Sequence, residues 1–184
     1  MRVAGTSTAR TRVRCAALLL AFGGAGFAAA ETSVVSAGGF TVTHQREVKA
    51  TPHQVFESIG QVARWWNGTH TWSGDAANLS LELNAGGCFC ERWSGGSVQH
   101  AVVVSVGRDR TVRLHGSLGP LQELAVNGVL TFDIATGEGK TILRASYRVS
   151  GAPSAGLEAL AAPVDRVIGE QVGRLVAFVE GRGP

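Results

Sequence analysis

The chain has 184 residues, of which 45% are apolar and only 17% are charged, and its formal net charge is +3 at pH 7. This composition predicts one globular domain and excludes a disordered chain, which would have fewer apolar residues and more charge. The three cysteines are too few for a disulfide-dense scaffold.

The positive charge is concentrated at the start of the chain. Arg2, Arg10, Arg12 and Arg14 precede the first acidic residue, Glu31. The apolar run 15–22 follows, and a Gly/Ala-rich stretch ends at Ala30. This order predicts a secretory signal peptide over residues 1–30, cleaved near Ala30, and one domain over 31–184 in the periplasm or outside the cell. The apolar run is shorter than the roughly 20 residues that a stable membrane anchor needs.

The predicted domain is almost neutral. Residues 1–30 contain four of the 17 basic residues and none of the 14 acidic ones, which leaves a net charge of −1 for the rest. The remaining arginines form no basic groove, so nucleic acid is not expected as a partner. No phosphate-binding loop, dinucleotide fingerprint or metal-ligand spacing occurs, and neither cofactor nor metal is predicted.

The first part of the domain combines a strand with short helices. Residues 40–49 are rich in β-branched side chains and predict a strand. Thr51, Pro52 and Gln54 have the order of a capping box with proline in the first turn, so a helix should begin near Pro52. A second short helix is expected over 62–66.

The rest of the domain alternates between strand patterns and turns before it ends in a helix. Leu157, Val164, Ile168, Val172 and Leu175 recur at intervals of three and four, which predicts a long amphipathic helix, kinked or restarted at Pro163. The fold class is therefore α+β, with a sheet of about seven strands covered by that helix. The later strands are expected at 79–83, 88–93, 98–106, 111–115, 126–134 and 141–149.

This order resembles the helix-grip superfamily, often grouped as SRPBCC, which includes the START domains, the birch-pollen allergen and polyketide cyclase-like proteins. The resemblance is carried by residues 51–56, Trp65-Trp66 and 86–91. Residues 116–122, with Asn127-Gly128 and Glu170-Gln171, are similar to the branch of activators of heat-shock ATPases. The resemblance to the superfamily implies a curved antiparallel sheet that grips the C-terminal helix, with a cavity between them for an apolar ligand.

The hairpin around Gly95-Gly96 contains the candidate catalytic residues. If these two glycines form the turn, Glu91 lies opposite His100 on the more apolar face, Phe89 opposite Val102 and Trp93 opposite Val98. Glu91 and His100 should then lie within hydrogen-bond reach, either as a satisfied polar pair or as an acid and a base. A different register would separate them.

Aromatic and apolar side chains on the predicted cavity face are the candidate ligand contacts. One of Trp65 and Trp66 is expected in the core and Trp66 at the cavity, and the hydroxyl of Tyr147 would need a partner if buried. The candidate ligand-binding residues are Trp66, Trp72, Phe89, Glu91, Trp93, His100, Leu114, Phe132 and Tyr147.

Cys88 and Cys90 are the two cysteines of the predicted domain, and their state stays open. Positions i and i+2 of an extended strand lie near the upper limit of disulfide reach, so a bridge would require a local bulge. Free thiols are favoured over a disulfide, and a disulfide over a metal site.

Three functions fit these features. The first is an exported protein that binds a small hydrophobic or amphipathic molecule between the sheet and the C-terminal helix. The second is an enzyme of cyclase, dehydratase or hydrolase type that uses Glu91 and His100. The third is a co-chaperone-like ATPase activator, which requires that the chain is not exported.

Overall fold

The computed structural model describes residue 1 and residues 30–183, and the predicted signal peptide lies almost entirely outside these residues. Two helices and eight strands make up the domain. The helices are α1 (Pro52–Gly60) and α2 (Leu157–Val179). The strands are β1 (Ala30–Ser36), β2 (Gly39–Val48), β3 (Leu79–Leu81), β4 (Cys88–Trp93), β5 (Gly96–Gly107), β6 (Thr111–His115), β7 (Asn127–Gly137) and β8 (Lys140–Ser150).

All eight strands form one curved antiparallel sheet in the order β1-β2-β8-β7-β6-β5-β4-β3. The expected α+β class and the helix-grip arrangement are confirmed, with one strand more than the expected seven. The additional strand, β1, pairs with β2 at the edge of the sheet. Its residues Val34 and Val35 are both exposed. The segment therefore lacks the alternation of apolar and polar side chains by which a half-buried strand is predicted.

Helix α1 begins where its capping residues predict. The Thr51 hydroxyl accepts from the Gln54 N–H at 3.2 Å, and the Gln54 carboxamide oxygen accepts from the Thr51 N–H at 2.9 Å. Two otherwise unpaired backbone donors are thereby satisfied. Val55, Phe56 and Ile59 are buried and anchor the helix at one end of the sheet.

Helix α2 runs through Pro163 as one element of 23 residues, so the expected restart at this proline does not occur. Pro163 lies in the second turn and is exposed. The opposite side of the helix is buried against β2 and its neighbours, chiefly through Ile168, Val172 and Leu175. None of the described helices is long and apolar enough to cross a membrane.

Candidate functional site

A cavity of about 460 Å³ lies between the sheet and the N-terminal half of α2. Its walls are almost entirely apolar, with two histidines and two threonines as the polar side chains. The loop 66–72, strands β4, β5 and β8, the segment 118–121 and α2 all contribute. The lining side chains include Trp66, Trp72, Phe89, His100, Leu118, Leu121, Tyr147, Leu160, Pro163, Val164, Val167 and Ile168.

A bulge in β5 places His100 in this cavity. Cys90 pairs with Gln99 and Phe89 pairs with Ala101, so His100 is an extra residue with no partner in the ladder between β4 and β5. Because of it, His100 and the adjacent Ala101 are both buried, which regular alternation forbids. Val104, which is exposed, is the unpaired residue of a second shift, between β5 and β6.

The register of this hairpin differs from the expected one. Ser94 and Gly95 form the turn, Trp93 pairs with Gly96, and Glu91 pairs with Val98 instead of His100. The difference is two residues, so it leaves the faces unchanged: His100 is two residues beyond Val98, the partner of Glu91, and lies on the face that carries Glu91. The predicted contact is confirmed: His100 Nε2 lies 3.1 Å from Glu91 Oε2.

Glu91 is fully buried behind His100 and is held by donors from the loop in front of it. Its Oε2 accepts from the Trp72 N–H at 3.0 Å, and its Oε1 accepts from the Ser73 N–H. With His100, three donors thus point at one carboxylate. Such an arrangement stabilises the charged form of a buried acid.

The pKa values of the pair follow from these contacts. Burial by itself would raise the pKa of Glu91, but the hydrogen bonds from Ser73, Trp72 and His100 outweigh burial and hold this pKa below its ordinary value of 4.5. Burial lowers the pKa of His100 below its ordinary value of 6.5, and Glu91 opposes this only in part. At neutral pH the site therefore contains a carboxylate and a neutral imidazole.

The carboxylate determines which nitrogen of His100 carries the proton. An ionised Glu91 can only accept, so the neutral ring must donate from Nε2. Nδ1 is then left with a lone pair and has no hydrogen-bond partner among the described residues. A carboxylate that orients an imidazole in this way is the arrangement by which enzymes prepare a histidine as a base.

The loop 67–73 closes one side of the cavity and is attached at both ends. Glu170 of α2 accepts from the Asn67 side chain and pairs with His70 Nε2 at 3.1 Å. Gln171 accepts from the Asn67 N–H at 2.8 Å. At the other end of the loop, the backbone bonds to Glu91 described above tie Trp72 to β4.

Five of the predicted ligand-binding residues lie on the cavity wall. Trp66, Trp72, Phe89, His100 and Tyr147 line it, and the ring of Phe89 joins those of Trp66 and His100, with centroids 5.4 and 4.9 Å apart. Glu91 lies behind His100 and does not line the cavity itself. The expected division of the tryptophan pair is confirmed, because Trp65 is a core residue that donates to the Ser58 carbonyl.

Three predicted contacts do not line the cavity and are corrected here. Leu114 and Phe132 are core residues at 1% and 4% exposure, and Phe132 meets the edge of Trp65. Their strand parity was right, but this part of the sheet face is filled by Trp65. Trp93 lies at the end of the hairpin, where its ring covers Gly96 and a Cβ at that glycine would be 3.0 Å from it.

Residues that sequence patterns do not assign to the cavity complete its wall. Leu160, Val164 and Ile168 belong to the apolar face predicted for α2, but periodicity cannot distinguish a helix face that fills a core from one that borders a cavity. Leu118 and Leu121 come from a short 3-10 turn after β6 and have no periodic signal at all.

Cys88 and Cys90 form a disulfide, with Cα atoms 5.3 Å apart, so the favoured prediction of free thiols is wrong. Their Cα separation lies within the range of disulfides, and the ladder of β4 with β5 is irregular beside them, between Phe89 and Cys90, although the extra residue belongs to β5 and not to β4. Within residues 30–183, no three His, Cys, Asp or Glu side chains are grouped so that they could hold a metal ion.

The chain has the helix-grip fold, as its sequence resemblance to SRPBCC-type proteins implies. No protein family model and no curated protein sequence matches the chain. Among solved structures it is similar to the di-domain ARO/CYC StfQ from the steffimycin biosynthetic pathway, at a TM-score of 0.58 and 13% identity, over 79% of this chain and 52% of that one.

Two further structures share the fold over most of their own length. CalU16 from Micromonospora echinospora has a TM-score of 0.52 and 12% identity, over 79% of this chain and 80% of that chain. The Aha1 dimer from Colwellia psychrerythraea has a TM-score of 0.52 and 16% identity, over 77% and 97%. At these identities the similarity shows the fold, and the function has to be argued from the site.

Proposed function

We propose that this protein binds a small hydrophobic or amphipathic molecule in the cavity between the sheet and α2. The observation that carries the proposal is the cavity itself: about 460 Å³ of space with apolar walls and one buried polar pair at its side. Pockets of this size and character are typical of sites that enclose most of a small organic ligand. The proteins of like fold include the di-domain ARO/CYC StfQ from the steffimycin biosynthetic pathway, which is consistent with such a ligand.

The test is ligand uptake, measured as saturable binding of fluorescent fatty acids and sterols and by native mass spectrometry of the purified protein. Val164 projects into the cavity from α2, so Val164→Trp should fill part of it and weaken binding by about ten-fold or more. Arg166→Trp is the matched control, because Arg166 is exposed on the same helix and does not line the cavity. Absence of any co-purified molecule and of saturable uptake would contradict the proposal.

A second function, acid and base catalysis, is favoured by the Glu91–His100 pair. A buried carboxylate that holds a neutral imidazole at 3.1 Å prepares His100 to take a proton from a bound molecule or from water. Hydrolysis of 4-nitrophenyl esters and dehydration of β-hydroxyketones are suitable assays. We expect Glu91→Gln to lose turnover while it keeps ligand binding, and a wild-type protein without turnover in either assay would leave binding as the sole function.

We further propose that the domain acts after export, in the periplasm or outside the cell. The proposal is supported by the basic, apolar and small-residue segments of 1–30 and by the Cys88–Cys90 disulfide, which belongs to oxidising compartments. Mass spectrometry of the protein from its native host should find an N-terminus near residue 31. An intact N-terminus would instead favour the co-chaperone-like alternative, which requires a cytosolic ATPase.

A further inference from the structure

Most side-chain donors on the cavity wall already form hydrogen bonds within the protein. Tyr147 donates its hydroxyl proton to the Gly116 carbonyl and accepts from the Leu118 N–H at 2.9 Å. The Trp66 indole N–H donates to the His70 carbonyl at 3.1 Å. The Thr71 hydroxyl donates to the Gly68 carbonyl at 2.7 Å. Each of these donors is satisfied within the protein, and the other two side-chain donors of the wall, the Thr69 hydroxyl and the Trp72 indole N–H, belong to exposed residues and not to the buried part of the cavity.

The two histidines of the wall are likewise committed as donors. His100 faces Glu91 through Nε2, and His70 faces Glu170 through Nε2 at 3.1 Å. A carboxylate partner requires a proton on that nitrogen, so in the neutral ring of His100 the lone pair is on Nδ1. What the deep part of the cavity offers to a ligand is therefore an acceptor.

The negative charge of Glu91 also favours a ligand group that donates a hydrogen bond and carries no charge. Glu91 is a buried carboxylate in contact with His100, and no arginine or lysine of the described residues lines the cavity. An anionic head group placed beside His100 would meet the negative charge of Glu91 without a cation to compensate it, in surroundings of low polarity. A neutral donor group has no such cost.

We propose that the cavity selects ligands that carry a neutral hydroxyl on an aromatic or otherwise apolar body, with this hydroxyl donating to Nδ1 of His100. The inference rests on the proposed ligand-binding function and narrows its ligand to one chemical class. It distinguishes hydroxylated ring systems from fatty acids, which would bring a carboxylate, and from ketones and ethers, which would bring only acceptors. The rings of Trp66, Phe89 and His100, which lie in contact along one wall, suit a flat aromatic body.

The test compares three probes of one shape by titration calorimetry at neutral pH: 2-naphthol, 2-methoxynaphthalene and 2-naphthoate. We expect 2-naphthol to bind about ten-fold more tightly than either of the others, since a ligand without a donor leaves a buried acceptor unpaired. The methoxy probe is the more hydrophobic of the two neutral ones, so apolar burial alone predicts the opposite order.

Variants at His100 separate a specific contact from general packing. His100→Phe keeps a ring and removes the acceptor, so the preference for 2-naphthol over 2-methoxynaphthalene should disappear. His100→Gln can donate to Glu91 from its amide nitrogen and accept through its carbonyl oxygen, and it should retain the preference. His53→Phe is the matched control, because His53 is exposed on α1 and bonds to Asp109 away from the cavity.

The outcomes distinguish the two proposals. If the methoxy or carboxylate probe binds as tightly as 2-naphthol to the wild-type protein, the selection of hydroxyl donors is wrong while ligand binding stands. Retention of the preference in a folded His100→Phe variant would also overturn it. If none of the probes binds and fluorescent lipids are not taken up either, the ligand-binding function itself is wrong.

Discussion

Glu91 and His100 make the domain sensitive to acid through two separate groups. Both have a folded-state pKa below the ordinary value, Glu91 because its hydrogen bonds outweigh burial and His100 because of burial. The unfolded chain therefore binds protons at these positions more readily than the folded domain does. Under this condition the free energy of unfolding falls as the pH falls.

The first prediction is a loss of stability in two pH windows. As the pH falls from the ordinary value of His100, 6.5, through its lower folded value, the stability that depends on a neutral His100 should be lost. A second loss should begin near 4.5, where Glu91 and also Glu170, whose pKa is lowered by its hydrogen bond from Asn67, take up protons. Urea unfolding across this pH range measures both.

The variant His100→Gln is the control for the first window. This variant should lose less stability than the wild-type protein as the pH falls below 6.5, and it should keep the second loss, which begins near 4.5. The other histidines are present in both proteins, so the difference between the two reports on His100. A wild-type stability that stays level or rises as the pH falls below 6.5 would contradict the direction inferred for His100.

The second prediction concerns the hydroxyl of Tyr147 in β8, which is hydrogen-bonded to the backbone of the segment 116–118. Burial raises the pKa of this phenol to about 12, so the hydroxyl stays protonated and able to donate. Tyr147→Phe leaves the Leu118 N–H and the Gly116 carbonyl without this partner. The expected loss is about 1–3 kcal/mol in the free energy of unfolding, measured by urea titration. A change within about 0.5 kcal/mol would show that the segment is held by its other contacts.

Helix α2 approaches the sheet most closely where a glycine faces a histidine. His44 of β2 bonds through Nε2 to Oδ1 of Asp165 at 2.9 Å and lies against Gly169, one turn further along the helix. A Cβ at Gly169 would lie 2.7 Å from the ring carbon Cε1 of His44. The bond to Asp165 keeps this ring in place, so the contact requires a residue without a side chain.

The third prediction uses a second glycine on the same helix as its control. Gly169→Ala should lower the free energy of unfolding by about 1–3 kcal/mol, because the added methyl group forces the ring or the helix to shift. Gly173→Ala, one turn away, meets no atom within 4 Å and should raise it by about 0.5–1 kcal/mol. Thermal unfolding of the two variants measures both signs, and equal effects would disprove the close contact.

Sequence patterns predict these elements better than they predict the pairing between them. The capping box at Thr51 and Gln54 and the spacing of Val164, Ile168 and Val172 act locally, so α1 and the buried face of α2 could be derived from single segments. The bulge at His100 is a property of two strands at once. No pattern in β5 shows that its alternation changes phase after this residue.

At the scale of the whole molecule, the cavity depends on a loop that two distant elements hold. Strand β4 contributes Glu91 and helix α2 contributes Glu170 and Gln171, and the loop 67–73 spans the space between them. The chain separations of 18 to 104 residues in these bonds explain why the family resemblance could imply a cavity but local patterns could not predict its boundary. Leu114 and Phe132 illustrate this, since they lie on the same face of the sheet as Tyr147, which lines the cavity, and yet belong to the core.

The fourth prediction is that a ligand protects this loop. Hydrogen exchange with and without saturating 2-naphthol should slow at the amides of Trp72 and Ser73, because occupation of the cavity stabilises the closed arrangement in which both donate to Glu91. At a ligand concentration of about 100 times Kd, the folded state gains about 2.7 kcal/mol. The β1–β2 edge is the internal control, since no residue of these strands lines the cavity. Uniform protection of both regions would indicate global stabilisation without a local effect on the loop.

The bulge in β5 also means that the pairing of β4 with β5 does not depend on His100. If His100 were deleted, Gln99 and Ala101 would become consecutive, and their present partners Cys90 and Phe89 are already consecutive. The pairing of β4 with β5 would then be regular, with Ala101 and Val103 still facing the core, and only the second shift of β5, against β6 between Val103 and Ser105, would remain. The imidazole is thus an insertion into a β4–β5 ladder that is complete without it, so one codon is enough to add or remove the group.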